Sequence, residues 1–224
     1  MGFFLNLNTS ITKCINGCKL FSDTNDFSYW ETKEATNDEK YIVEYLNSNN
    51  LIVGKNVLHM GVGNSFLANN ISNYNKIDGI TLSKKEMDYG LQLNIFNYNI
   101  FLQNKYSSKN LLNTLLKSYD LIIDVNLKSF ACCDDAFKDL FSRYTSMLRP
   151  GGIIITGREG MKWSRQLKPV LSFSMKNFFY KRLKEFDGPR KNILSEDDCI
   201  DISKDFSLYI NTDNNNLVIF KKII

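Results

Sequence analysis

Apolar positions in this 224-residue chain fall into short continuous runs that alternate with stretches where they return every third or fourth residue. Thr36-Asn37-Asp38-Glu39 has the S/T-x-x-E form of a capping box, and Tyr41, Ile42, Tyr45 and Leu46 follow on one face. A first helix is therefore expected from about Asn37 to Asn49. Strand-like and helix-like runs then alternate: Asn56 to Met60 strand, Phe66 to Ser72 helix, Ile77 to Leu82 strand, Lys84 to Leu93 helix, Asn99 to Gln103 strand, Ser107 to Lys117 helix. Such βα repetition predicts a parallel sheet. Tyr119 to Val125 is almost wholly apolar, as in a central strand covered on both faces. Phe137, Leu140, Phe141, Tyr144 and Leu148 outline a helix that starts at Asp134 or Asp135 and stops at Pro150-Gly151-Gly152, ahead of a fifth strand, Gly152 to Thr156. Another helix starts at Ser195, and Phe206 to Ile210 and Leu217 to Phe220 flank a turn short enough to make them a hairpin.

The pattern is weak before the aromatic cluster Phe27-Ser28-Tyr29-Trp30, so residues 1–35 are expected to form an arm or lid on a single domain spanning 36–224. Charge sharpens this division. The chain carries a formal +4, yet from Arg158 to Lys191 ten Lys/Arg stand against three Asp/Glu, a local +7 that leaves the remainder near −3. Within this stretch Met175, Phe179, Leu183 and Phe186 recur at helical spacing, and Ser174 to Phe186 reads as an amphipathic helix with a basic face. Five cysteines without a regular framework indicate reduced thiols and a cytoplasmic protein. No ligand pair completes a metal site with Cys14 and Cys18, and no stretch reaches transmembrane length.

Chemistry enters at Asn56-Val57-Leu58-His59-Met60-Gly61-Val62-Gly63-Asn64-Ser65, where a strand runs into a glycine-containing turn. Glycine there lets the backbone come close to a ligand, because it has no side chain to obstruct the approach and tolerates positive φ. Together with Gly79-Ile80-Thr81-Leu82-Ser83, Tyr119-Asp120-Leu121-Ile122 and Leu148-Arg149-Pro150-Gly151-Gly152, this turn makes an ordered set that resembles the class I S-adenosylmethionine-dependent methyltransferases. The resemblance implies a three-layer Rossmann-like α/β fold: a seven-stranded, mostly parallel sheet with an antiparallel C-terminal strand, and S-adenosylmethionine over the carboxyl ends of the first strands. It implies cofactor contacts from His59, Gly61, Gly63, Asn64, Ser65, Thr81, Leu82, Ser83, Gln103, Asn104, Asp124 and Asn126. Asp124 would be the proton acceptor if the methyl group goes to a hydroxyl. In this family the segment after the fifth strand, here 158–194, shapes the acceptor pocket, which brings in Arg158, Trp163 and Arg165, with Tyr29 and Trp30 closing over the site.

Three positions depart from the family pattern. His59 and Thr81 stand where it has acidic residues, and Ser65 where it has a third glycine. The Gly-x-Thr-Leu-Ser form itself resembles that of fatty-acid cyclopropane synthases, which use the same cofactor. His59, the only histidine, is expected to be a core residue that hydrogen-bonds near the cofactor's charged end. Asp120, which opens its strand, is expected to cap or orient backbone. Three functions follow from the resemblance: methyl transfer to a small acceptor, anionic if the basic segment takes part; a non-catalytic binding protein of the same fold; or a cyclopropane-synthase-like enzyme acting on lipid at a membrane surface. Nucleic acid is disfavoured, since strand four ends Asp124-Val125-Asn126-Leu127 rather than in an amino-methylation motif.

Overall fold

The computed structural model describes residues 27–106, 118–129, 131, 134–162, 166–172, 180–186 and 193–223, with 166–172 and 180–186 described by their backbone. The helix expected at Ser107 to Lys117, the cysteines Cys14, Cys18, Cys132 and Cys133, most of the N-terminal arm, and Trp163 and Arg165 lie outside these residues.

The strands are β1 (Asn56–Met60), β2 (Lys76–Thr81), β3 (Tyr98–Leu102), β4 (Tyr119–Asp124), β5 (Leu148–Gly157), β6 (Gln166–Ser172), β7 (Tyr180–Phe186), β8 (Leu208–Asn211) and β9 (Leu217–Lys222). The helices are α1 (Ser28–Thr32), α2 (Asn37–Ser48), α3 (Phe66–Asn70), α4 (Lys84–Gln92), α5 (Asp134–Met147), α6 (Arg158–Lys162) and α7 (Glu196–Asp205). Seven strands form one sheet in the order β3-β2-β1-β4-β5-β9-β8. The pairs among β1 to β5 are parallel, and β9 runs antiparallel to both neighbours, β5 and β8. A seven-stranded, mostly parallel sheet with an antiparallel C-terminal strand is what the family resemblance implies.

Its two faces are buried by different helices. Ile42 and Leu46 of α2 and Leu67 of α3 pack with Val57, Leu121, Ile123 and Ile155. On the opposite face Phe137, Leu140, Phe141 and Tyr144 of α5 and Cys199 and Ile202 of α7 pack with Leu58, Ile122, Ile154 and Phe220. Full burial of each such side chain contributes roughly 1.5–3 kcal/mol. The capping box at α2 forms as its sequence predicts: Thr36 Oγ1 accepts the Glu39 N–H at 3.2 Å, and the Glu39 carboxylate accepts the Thr36 N–H at 2.8 Å. Asp120, as expected, orients backbone, accepting the Asn56 N–H at 2.9 Å. No helix among the described residues is long and apolar enough to cross a membrane.

The basic segment differs from its sequence reading. Residues 180–186 are not helical; Tyr180–Phe186 is β7, paired antiparallel with β6 from Gln166↔Phe186 to Ser172↔Tyr180. Helical spacing among Met175, Phe179, Leu183 and Phe186 is offset by a partner strand that satisfies the backbone of 180–186 across a ladder. Pro169 sits at Leu183's register position in this two-stranded ribbon, a place that tolerates a missing N–H.

Candidate functional site

Strand order reverses between β1 and β4: the chain moves outward through β2 and β3, then returns to the other side of β1. Crossovers on the two sides of that line leave a crevice at the strands' carboxyl ends, where open α/β sheets bind ligands. The turn after β1 and the segment after β4 therefore border the same space.

In the turn, Gly61, Gly63 and Ser65 take φ of +76°, +53° and +62°. Ser65 thus keeps the left-handed conformation of the expected third glycine despite its side chain. Its buried hydroxyl lies 3.2 Å from Tyr98 Oη. A Cβ at Gly61 would meet nothing within 4 Å, so the backbone faces open space there. Asn64 ties the turn to the preceding segment by donating to the carbonyls of Lys33 and Glu34 at 3.1 and 2.7 Å. The Gly61 N–H reaches the Ile80 carbonyl at 2.8 Å, and the Gln103 N–H reaches that of Thr81 at the same distance, aligning the ends of β1, β2 and β3. Asn104 Oδ1 accepts the Tyr106 N–H, and Leu82 is half-buried between Thr81 and Ser83.

The carboxylate missing from the end of β2 reappears five residues later. Ser83 caps α4 by accepting the Glu86 N–H at 3.3 Å, which makes Ser83-x-x-Glu86 look like another capping box. The reciprocal bond is taken by another group: the Ser83 N–H donates to Thr81 Oγ1 at 3.0 Å. Glu86 is released to face the glycine turn, where its carboxylate accepts from Thr81 Oγ1, from Trp30 Nε1 at 3.2 Å and from the Gly63 N–H. Burial pushes its pKa up, and these three donors offset part of that rise. Only the spacing to Thr81 could have marked Glu86 in sequence, and the Ser83-x-x-Glu86 spacing points to a cap instead.

Asp124 is placed differently from its expected role. Its carboxylate receives Lys105 Nζ at 3.0 and 2.9 Å and Tyr144 Oη at 2.8 Å, and the residue is 1% exposed. Lys105 also donates to the carbonyls of Asn126 at 2.9 Å and Leu127 at 3.3 Å, pinning the segment after β4 to the loop after β3. Burial lowers the Lys105 pKa, opposed by Asp124. The expected base therefore faces a buried cation instead of an acceptor.

The far wall is steric. A Cβ on Gly160 would come within 2.0 Å of the Val125 carbonyl oxygen and 2.6 Å of Asn126 Oδ1, so α6 lies directly on the end of β4. The Gly160 N–H donates to Asp38 at 2.6 Å; desolvation raises the pKa of this carboxyl. Arg158, expected at the acceptor, points elsewhere: its guanidinium donates to the carbonyls of Asn214 at 2.9 Å and Thr212 at 2.6 Å and pairs with Glu196 at 2.7 Å. It fastens the β8–β9 turn. Tyr29 is 52% exposed and stacks edge-on against Trp30, which itself lies against Gly63 of the turn.

His59, the fourth residue of β1, lies between Gly79 and Ile123, wholly buried, and among the described residues neither ring nitrogen has a hydrogen-bond partner. Desolvation lowers its pKa to about 4, so the ring is neutral at pH 7.

No protein-family profile and no curated protein matches the sequence. Solved structures do. An S-adenosylmethionine-dependent methyltransferase from Clostridium acetobutylicum is 14% identical at TM-score 0.54, over 88% of this chain and 95% of that one. The N-methyltransferase NodS from Bradyrhizobium japonicum is 11% identical at TM-score 0.56, over 86% and 100%. CalS10, an amino pentose methyltransferase from Micromonospora echinaspora that was solved with S-adenosylmethionine bound, is 8% identical at TM-score 0.56, over 90% and 100%. The chain therefore has the Rossmann-like fold of the S-adenosylmethionine-dependent methyltransferases.

Proposed function

We propose that the crevice binds S-adenosylmethionine and that the protein transfers its methyl group to a small acceptor. The observation that carries this reading is the run of positive φ at Gly61, Gly63 and Ser65, set at the topological switch point beside the Glu86 carboxylate. The three departures from the family pattern are thereby accommodated. Ser65 retains the backbone form of glycine, Glu86 supplies from α4 the acceptor absent at Thr81, and neutral His59 keeps two ring nitrogens available to a polar neighbour.

When bound, the cofactor supplies an electrophilic methyl group on a sulfonium, so displacement needs alignment and desolvation more than a dedicated base. The chain's residues divide that work. Gly61 and Gly63 let backbone approach the ligand, and Glu86 accepts from a sugar hydroxyl. Asn126 and Gly160 close the side across from the turn, and the Lys105–Asp124 pair holds the Asn126 segment in place. A catalytic route through Asp124 loses its support because the carboxylate is committed to Lys105 and Tyr144.

A small acceptor is supported by the neighbours, which include enzymes named for 1,6-didemethyltoxoflavin and an amino pentose. An anionic acceptor is supported by the β6–β7 register, which assigns Lys168, Arg182 and Lys184 to one face of the ribbon. Action on lipid is suggested by the Thr81-Leu82-Ser83 form and by a basic amphipathic helix over Ser174 to Phe186, and the second support weakens because residues 180–186 form a strand.

Glu86→Ala should weaken S-adenosylhomocysteine binding by tenfold or more, the equivalent of about 1.5–3 kcal/mol for a hydrogen bond to a charged group. Calorimetric titration measures this. Unchanged affinity in a variant with the wild-type urea midpoint would remove Glu86 from the site.

A further inference from the structure

Helix α1 has no buried residue, yet its Trp30 makes two contacts with the surfaces that a cofactor must reach. The six-membered ring of the indole lies on Gly63 so closely that a Cβ there would come within 2.6 Å of Trp30 Cζ2. The indole N–H donates to Glu86 Oε1 at 3.2 Å, while Thr81 and the Gly63 N–H engage the same carboxylate. Gly63, Thr81 and Glu86 are thus covered by Trp30 or by one another. Among the described residues, Phe27 of the strap that carries the indole lies against Tyr89 with ring centroids 5.1 Å apart, and Asn64 donates two hydrogen bonds to the Lys33 and Glu34 carbonyls. A helix with no buried residue opens at lower free-energy cost than the packed core.

We propose that Trp30 is a shutter, and that a ligand hydroxyl takes over the place on Glu86 held by the indole N–H. The inference rests on the cofactor reading above. In the closed form Glu86 keeps a donor and the Gly63 backbone stays shielded from water, so the buried carboxylate is not left bare. Binding swaps one donor for another and lifts the indole from Gly63. The closed population reduces apparent affinity by the fraction of molecules that are open, so a variant lacking the shutter binds more tightly. This reverses the usual expectation for an aromatic residue beside a ligand, whose removal weakens binding.

Trp30→Phe keeps a ring on Gly63 but loses the N–H, and Trp30→Ala loses both. Affinity for S-adenosylhomocysteine should rise about threefold in the first and about tenfold in the second, a graded gain in the open fraction. Wild-type tryptophan emission should shift to the red on binding, and Trp30→Phe should lack that shift. Hydrogen exchange without ligand reads the closed strap itself: the Gly63 amide should exchange faster in Trp30→Phe than in the wild type. Binding by the wild type with equal or weaker binding by both variants overturns the shutter while sparing the cofactor reading. No binding by any of the three overturns both.

Discussion

Lys105→Met should lose about 3–5 kcal/mol of stability at neutral pH, the cost of leaving one member of a buried ion pair without its partner. Asp124 has a side chain only 2% exposed, and the substitution would leave Tyr144 as the donor facing it. Methionine fills the space of the lysine stem, so the loss reports the charge more than a cavity. Asp124→Asn in the Lys105→Met background should restore much of the stability, because the uncompensated charge is then gone. Urea denaturation of the two single variants and the double variant gives the coupling between the residues. A Lys105→Met protein within 1 kcal/mol of the wild type would mean that the pair is not held as described. The cycle also bears on catalysis: strong coupling marks Asp124 as part of the scaffold that positions the segment after β4.

His59→Leu should flatten the acid limb of the stability profile. The imidazole has a folded pKa near 4 against an ordinary 6.5, so between these values the unfolded chain binds the extra proton. Stability from this group is fully present above pH 6.5 and is lost as pH falls toward 4, about 3 kcal/mol in total at 1.36 kcal/mol per pKa unit. Asp38, Glu39 and Glu86 are shifted upward by burial and act in the opposite sense, favouring the fold as they take up protons. Their contribution is common to wild type and variant and cancels in the difference. Chemical denaturation at pH 7, 6, 5 and 4.5 should show wild type losing ground to His59→Leu at each step. Parallel profiles would contradict the dry, unpartnered setting of the ring.

Much of the sheet could be read from sequence because its strands are buried on both faces, leaving near-continuous apolar runs such as Leu121-Ile122-Ile123. The glycine turn was equally legible, since positive φ restricts residue choice at single positions. The pairing of β6 with β7 was not, because a ladder between strands leaves no local mark and helical spacing of a few apolar residues can arise by chance. Glu86 and Lys105 were missed for a different reason. Glu86 stands as the fourth residue of a Ser-x-x-Glu spacing, which in sequence looks like an ordinary cap, and the Ser83 N–H bonding to Thr81 shows that the carboxylate is not used for it. Lys105 meets Asp124 across 19 residues, a contact that sequence spacing does not announce. Arg158 and Asp124 find partners within the protein that sequence did not announce, because a strand-end position fixes where a Cα lies and not where a long or charged side chain finds its partners.

The central claim is that the Gly61–Ser65 turn is a working cofactor site built on backbone geometry and Glu86. Isothermal titration of the wild-type chain with S-adenosylhomocysteine tests it most directly. The account predicts saturable one-to-one binding at micromolar affinity, about −8 kcal/mol. Absence of any heat of binding up to about 1 mM ligand, weaker than about −4 kcal/mol, would contradict it.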